Sequence, residues 1–176
     1  MKGRFEMTQQ FQIGEYVRYG SNGVCQIDDI QEMTIAHNRD QYYILQPVTD
    51  QNTTFFIPMH NDALRGKIHP VLTREEVDAI IDSVDDALVV WIDDRKQRME
   101  RFRTILRNAD PREILCLRIL LFERKRSLAA NGPRLSPSDN NLLKQVSEIT
   151  DNEFSFALEI SEQKVAQYIH TRIGKL

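Results

Sequence analysis

The sequence predicts an α+β fold in which a small antiparallel β-barrel is followed by an all-α helical bundle. Two observations carry this prediction. From Phe11 to Ile57, apolar residues recur with a period near two and are interrupted by turn residues. After Pro70, the apolar spacing becomes that of amphipathic helices. The boundary between the two halves is therefore expected between Ile57 and Thr73.

The β half contains four predicted strands with turns at roughly ten-residue spacing, which is typical of a small curled antiparallel barrel. The first turn covers residues 20–23, where two glycines can adopt positive φ. A polar hairpin loop is predicted at residues 37–40, and a further turn at residues 50–52. The last strand covers residues 53–57, and Pro58 ends it.

The helical half shows several helix-start signals. Thr73 with Glu76 forms a capping box, and both Asp110 and Ser136 precede a proline at the first helical position. In chain order, helices are predicted from residue 73, over residues 86–108, from residue 111, from residue 137, and over residues 151–158 and 161–173.

These patterns divide the chain into a disordered leader (residues 1–10), a β-barrel (11–66), a linker (67–72) and a helical domain (73–176). The leader lacks the apolar region of a secretory signal. No stretch approaches the roughly 20 apolar residues of a membrane helix. We therefore expect a cytoplasmic protein without membrane association, whose oligomeric state is left open.

Positive charge is concentrated in one part of the helical half, although the formal net charge of the chain is −3. Residues 95–126 contain only four acidic residues. Their eleven basic residues are Arg95, Lys96, Arg98, Arg101, Arg103, Arg107, Arg112, Arg118, Arg124, Lys125 and Arg126. Such a patch suits contacts with nucleic-acid phosphates. The alternative is a solvated helix face with ion pairs between neighbouring turns.

Trp91 is the single tryptophan of the chain. On a continuous helix it would share a stripe with Arg95, Arg98 and Phe102. An aromatic ring beside guanidinium groups can stack on, or wedge against, an exposed base step. The alternative is that Trp91 anchors the helix in the core.

No catalytic or metal-binding constellation emerges from the sequence. The four histidines have no partner at nucleophile–base or metal-ligand spacing. Cys25 and Cys116 lie far apart, without a CxxC pattern, so that buried thiols are expected. We therefore expect a non-enzymatic protein without metal or cofactor.

Two segments of the β half resemble the CarD family. Residues 11–19 (Phe-Gln-Ile-Gly-Glu-Tyr-Val-Arg-Tyr) and 22–27 (Asn-Gly-Val-Cys-Gln-Ile) are similar to the opening of that family's barrel, which also occurs in transcription-repair coupling factors. Residues 55–58 (Phe-Phe-Ile-Pro) resemble its last strand. The resemblance implies a Tudor-like barrel that binds the β subunit of bacterial RNA polymerase.

The helical half extends the resemblance to about residue 160. Residues 98–102, 105–106, 108–110 and 113 resemble the family's arginine helix and the junction that follows it. Residues 135–139 resemble its "Leu-Ser-x-x-Glu" helix start. The resemblance implies a helical bundle that contacts the upstream edge of the promoter bubble and stabilises the open complex.

On this basis we predict two sets of binding residues. The polymerase-binding set is Thr53, Thr54, Phe55, Phe56, Ile57 and Met33. The DNA-binding set is Trp91, Arg95, Lys96, Arg98, Arg101 and Arg103. Replacing Arg98 and Arg101 by Glu is expected to abolish promoter effects without unfolding the protein. The competing hypothesis is a protein-interaction adaptor whose arginine face meets polymerase or another acidic partner and never touches DNA.

Overall fold

The computed structural model of the chain describes residues 11–35 and 37–174. The predicted leader, residues 1–10, lies outside the described residues. The described chain contains one antiparallel sheet followed by a helical bundle, which confirms the α+β class and the order of its halves. The five strands are β1 (Tyr16–Tyr19), β2 (Val24–Ile35), β3 (Asn38–Pro47), β4 (Phe55–Pro58) and β5 (Ile68–Pro70).

The sheet is open and has the order β4-β3-β2-β1-β5. Because β4 and β5 are its two edges and do not pair with each other, the sheet does not close into the predicted barrel. One face buries the apolar side chains that alternate along the strands. That cluster is Phe11, Val17, Tyr19, Cys25, Ile27, Tyr43, Leu45, Ile57 and Ile68.

Both predicted turns of the first two hairpins exist, although the second is tighter than expected. Residues Gly20–Asn22 form a turn of 3-10 helix, and Gly20 and Gly23 have φ values of +51° and +75°. The second turn lies between Ile35 and Asn38, which pair with each other, so that β3 begins inside the predicted loop. His37 takes the positive φ, +69°, that such a short hairpin turn requires.

The range predicted as a linker contains an edge strand. Ile68–Pro70 pairs antiparallel with β1, with Val17 opposite Pro70. Ile68 is buried in the apolar cluster of the sheet, and this burial holds the segment in place. The connection from the sheet to the first helix of the bundle is therefore only a few residues long.

The helices are α1 (Asp62–Arg65), α2 (Arg74–Asp82), α3 (Arg95–Asn108), α4 (Pro111–Ala130), α5 (Pro137–Leu158) and α6 (Glu162–Ile173). The predicted capping box of α2 is present: Thr73 Oγ1 accepts from the Glu76 amide at 3.2 Å, and Glu76 Oε2 accepts from the Thr73 amide at 2.8 Å. Asp110 and Ser136 cap α4 and α5 as predicted.

The helix predicted over residues 86–108 begins instead at Arg95. The Asp94 carboxylate accepts from the Gln97 amide at 2.8 Å and so marks the N-cap. Upstream, the Asp85 carboxylate accepts from the Ala87 amide at 2.9 Å and holds a turn there. Trp91 therefore lies in an irregular segment that precedes α3.

The two helices predicted over residues 137–158 are one continuous helix. Asp151, predicted as the start of a new helix, lies inside α5 and receives a 2.7 Å hydrogen bond from Arg118 Nη1 of α4. Two apolar clusters hold the helices together, and Val84 packs against both. None of the described helices combines the length and the apolar character that a membrane span requires.

Candidate functional site

Strand β4 presents one free edge of the sheet. It pairs with β3 alone, with Ile57 opposite Tyr43 and Phe55 opposite Leu45. The Met59 amide donates to the Gln41 carbonyl at 2.8 Å, which makes that position a hydrogen-bonded pair. Since such pairs alternate along an antiparallel ladder, Ile57 and Phe55 also bond to β3.

It follows that the backbone N–H and C=O of Phe56 point away from the sheet. Pro58, the next outward-facing position, has no N–H, and its carbonyl accepts from the Asn61 amide at 3.2 Å. The free edge is therefore short and centred on Phe56. The Phe56 side chain is 46% exposed, whereas Ile57 is buried.

The other three residues of the predicted polymerase-binding set lie outside β4. Thr53 and Thr54 precede β4 rather than belonging to it. Thr53 donates its hydroxyl proton to the Asp50 carboxylate, and this hydrogen bond holds the pKa of Asp50 below its usual value. Met33 is half-buried in the β2–β3 hairpin opposite Asp40, in a part of the hairpin that β4 does not reach.

Arg98 requires a correction, because the structure places it in the interior and not on a DNA-facing surface. The residue is only 6% exposed. Its Nε and Nη2 donate to the two carboxylate oxygens of Asp139 at 3.3 and 3.1 Å, and its Nη1 donates to the carbonyls of Ile92 and Asp93. Asp139, itself buried, also accepts from the Ser136 hydroxyl at 2.6 Å. Arg98 therefore ties α3 to the start of α5.

Trp91 lies against this buried pair. The guanidinium carbon of Arg98 is 4.2 Å from the centroid of the indole ring, and that of Arg124 is 4.9 Å from it. The ring also meets Phe102 edge-on at 6.5 Å and packs against the main helical cluster. The predicted proximity of Trp91 to Arg98 and Phe102 is confirmed, but it arises from a fold-back of the chain and not from one helical stripe.

The other basic residues of the predicted patch fall into two groups. Arg101 pairs with Glu113 at 2.9 Å, Arg118 pairs with Asp151, and Arg112 donates to the Ser83 carbonyl at 3.0 and 2.7 Å. The exposed cations are Arg95, Lys96, Arg103, Arg107, Arg124, Lys125 and Arg126. Of the predicted DNA-binding set, Arg95, Lys96 and Arg103 thus remain available to a ligand.

Arg124 is the residue that sequence reasoning left out of the site. It follows Trp91 by 33 positions, and no helical spacing links the two. The antiparallel packing of α4 on α3 brings them together. Arg95 is placed nearby, because its Nη2 donates to Ser138 Oγ at 3.3 Å in the first turn of α5. Trp91, Arg95, Lys96 and Arg124 define the surface called the basic surface below.

Neither cysteine is placed for chemistry. Both thiols are buried, and burial raises the pKa of Cys25 to about 12 and also raises that of Cys116. A thiol with a raised pKa is a poor nucleophile near neutral pH. Within residues 11–35 and 37–174, no three His, Cys, Asp or Glu side chains are grouped so that they can hold a metal ion.

Comparison with known proteins gives one family. Residues 11–72 match the sequence profile of the family described as the CarD-like/TRCF RID domain. The matched segment covers all five strands, including β5. No curated protein matches the chain significantly.

Proposed function

We propose that this chain, whose residues 11–72 form a CarD-like/TRCF RID domain, is a bacterial transcription regulator that docks on the β subunit of RNA polymerase and contacts upstream promoter DNA. The domain match points to an RNA polymerase-interacting protein. The β subunit as the docking site, contact with DNA, stabilisation of the open complex, a cytoplasmic location and the absence of catalysis belong to the proposal.

The free edge of β4 is the observation that carries the docking step. A partner strand can add to an unpaired sheet edge through backbone hydrogen bonds, and side chains on that edge then give specificity. Here the unpaired N–H and C=O belong to Phe56, and its exposed ring lies beside them. The polymerase would therefore gain two backbone hydrogen bonds and one aromatic contact at the same residue.

A matched pair of proline variants tests this docking mode. Phe56→Pro removes an N–H that faces away from the sheet, so the protein is expected to fold and to lose polymerase binding in a pull-down. Phe55→Pro removes an N–H that bonds to β3 and is expected to unfold the sheet. Phe56→Ala keeps the backbone N–H and C=O and removes the ring. Its pull-down therefore measures the contribution of the aromatic contact to polymerase binding. Unchanged pull-down by folded Phe56→Pro would exclude strand addition at this edge.

The basic surface supports the DNA-binding step. Arg95, Lys96 and Arg124 are exposed, and the guanidinium of Arg124 lies over the ring of Trp91. A neighbouring depression between the end of α4 and the start of α5 is lined by Lys125, Arg134 and the amides of Asn140 and Asn141, and none of the described residues that line it is acidic. Such a surface suits phosphate contacts that do not depend on sequence.

Footprinting of the polymerase–promoter complex tests this step. We expect protection of upstream DNA by the wild-type protein and its loss in a double variant, Arg95→Glu with Lys96→Glu. Lys164→Glu, at an exposed position of α6 outside the predicted DNA-binding set, is the control. Polymerase pull-down should be unchanged in both variants.

The adaptor hypothesis remains the second candidate. It is favoured by the packing of Trp91 against the core and beneath two arginines, an arrangement that gives the ring a structural role. An identical footprint with and without the protein, together with retained polymerase binding, would establish the adaptor.

A further inference from the structure

The described structure joins its sheet to its helical bundle at a second place besides the short covalent connection after β5. The start of β2 lies against the C-terminal half of α5, and the turn between β1 and β2 also contacts α3. There, Asn152 Oδ1 accepts a 2.7 Å hydrogen bond from the backbone N–H of Val24. Both residues are buried, so this amide donor has no access to water in place of Asn152.

Gly23 allows this close approach. Its φ is +75°, a region that favours glycine. A Cβ at this position would lie 2.3 Å from Asn152 Oδ1 and 3.0 Å from Asn152 Cγ. Residue 23 therefore has to be glycine for two reasons. Its backbone conformation favours glycine, and a Cβ would overlap the position of Asn152 Oδ1.

An ion pair lies next to this hydrogen bond. Arg18 Nη1 of β1 is 3.4 Å from Glu153 Oε2 of α5, and the two side chains are 11% and 4% exposed. Arg18 Nε also donates to the Pro70 carbonyl of β5 at 3.1 Å. One guanidinium thus connects two strands of the sheet to the helix.

An aromatic contact adds to the interface between the sheet and α5. The ring centroids of Tyr16 and Phe156 are 5.0 Å apart. On α5, residues 152, 153 and 156 fall within little more than one turn and meet β1 and β2 through three kinds of contact. Together with the contact between the β1–β2 turn and α3, this attachment removes the rotation that the covalent connection alone would leave.

We propose that Asn152, Glu153 and Phe156 of α5 form a rigid joint that fixes the orientation of the free β4 edge relative to the basic surface, with Asn152 as the positioning residue. The inference deepens the proposed function and rests on it for the identity of the two partners. A protein that holds polymerase at one end and DNA at the other needs a fixed angle between those ends. The joint supplies that angle without touching either partner.

The joint is tested on the free protein by measuring distances between spin labels at two exposed positions, Val48→Cys in the sheet half and Lys144→Cys in the helical half. The wild-type protein is expected to give one narrow distance distribution. Asn152→Ala leaves the Val24 N–H unpaired and should broaden or shift the distribution. Gly23→Ala should do the same from the sheet side. Asn141→Ala, an exposed asparagine on the same helix, is the matched control.

Far-UV circular dichroism checks that each variant is folded. If Asn152→Ala does not fold, Phe156→Ala removes a half-buried contact of the same joint and provides the test. A narrow, unshifted distribution in the folded variants would overturn the joint. Failure of the wild-type protein to bind polymerase would overturn the proposed function and leave the distance result intact. In the polymerase complex, folded Asn152→Ala should keep its pull-down and lose the upstream footprint.

Discussion

At the scale of single residues, two buried charges have different consequences. Each guanidinium nitrogen of Arg98 has a partner, because Nε and Nη2 donate to Asp139 and Nη1 donates to the carbonyls of Ile92 and Asp93. Glu153 has one partner, Arg18, at the longer distance of 3.4 Å. Burial therefore raises the pKa of Glu153 to about 7 even though Arg18 lowers it. Arg98 therefore holds α3 against the start of α5, and Glu153 makes the free energy of unfolding depend on pH.

Arg98→Ala is expected to destabilise the fold by about 3–5 kcal/mol, because it leaves the buried Asp139 carboxylate without its counter-ion. Lys96→Ala, an exposed basic residue of the same helix, should change stability by less than about 0.5 kcal/mol. Urea denaturation measures both free energies of unfolding. Equal, small losses would show that Arg98 is not held as described. For the same reason, Arg98→Glu is no longer expected to leave the protein folded.

Glu153 predicts a specific dependence of stability on pH. Its pKa in the folded protein, about 7, lies above its ordinary value of 4.5, so the folded state binds the proton more tightly than the unfolded chain does. This contribution is fully present below the ordinary pKa and is lost as the pH rises through 7.

Glu153→Gln should remove that dependence, so that the stability of the variant relative to the wild-type protein rises between about pH 4 and about pH 8, a range that includes both the ordinary pKa of 4.5 and the folded-state pKa of about 7. Denaturation with urea at both pH values measures the difference. Burial lowers the pKa of His69 and opposes the trend, but His69 is present in both proteins and cancels. A constant difference would rule out titration of Glu153 in this range.

At the scale of elements, residues at the helix ends determine where each helix begins and ends, through a capping side chain or a left-handed backbone conformation. Asp94 starts α3, and Ala109 ends it with a φ of +52°. Glu159 ends α5 in the same left-handed conformation, with a φ of +56°. A non-glycine residue pays a conformational cost there. These ends set the lengths of the two helices that carry Arg98 and the joint.

Glu159→Gly is expected to stabilise the protein by about 1 kcal/mol, because glycine adopts the left-handed conformation without that cost. Glu159 is exposed, so little packing is lost. Glu148→Gly, at an exposed position inside the same helix, should destabilise by about 1 kcal/mol. Thermal melting of both variants checks the opposite signs, and a loss of stability in Glu159→Gly would contradict the assigned helix end.

At the scale of the whole molecule, the fold sorts the basic residues into structural and exposed groups. Arg98, Arg112 and Arg118 bind partners within the bundle, and the partly exposed Arg101 pairs with Glu113. The exposed cations beside Trp91 come from the start of α3 and the end of α4. The exposed group can exchange counterions with DNA. The effective DNA-binding charge is therefore smaller than the sequence count of eleven indicates.

Replacing Arg95, Lys96 and Arg124 by Gln should reduce the salt dependence of promoter binding by the polymerase complex. Each lost phosphate contact is expected to lower the slope of log affinity against log salt by about 0.9. Fluorescence anisotropy with labelled promoter DNA at several salt concentrations measures the slope. Lys164→Gln, an exposed lysine of α6, is the control. Equal slopes in the triple variant and the wild-type protein would favour the adaptor hypothesis.

The sequence by itself determined the features that depend on neighbouring residues. The change of apolar period separated strands from helices, and the capping signals at Thr73, Asp110 and Ser136 fixed three helix starts. The last strand, predicted over residues 53–57, exists as Phe55–Pro58. Each of these signals acts over a few positions, so no knowledge of the tertiary packing is required.

Only the tertiary structure decided which side chains are free and how the halves are joined. Arg98 and Asp139 are 41 positions apart, Val24 and Asn152 are 128 apart, and Arg18 and Glu153 are 135 apart. A charged side chain has the same local pattern whether it ends in solvent or opposite a buried partner. Which of the two occurs depends on the distant element that packs against the side chain. Because the start of α5 packs against Arg98, this residue is structural and not the predicted DNA contact.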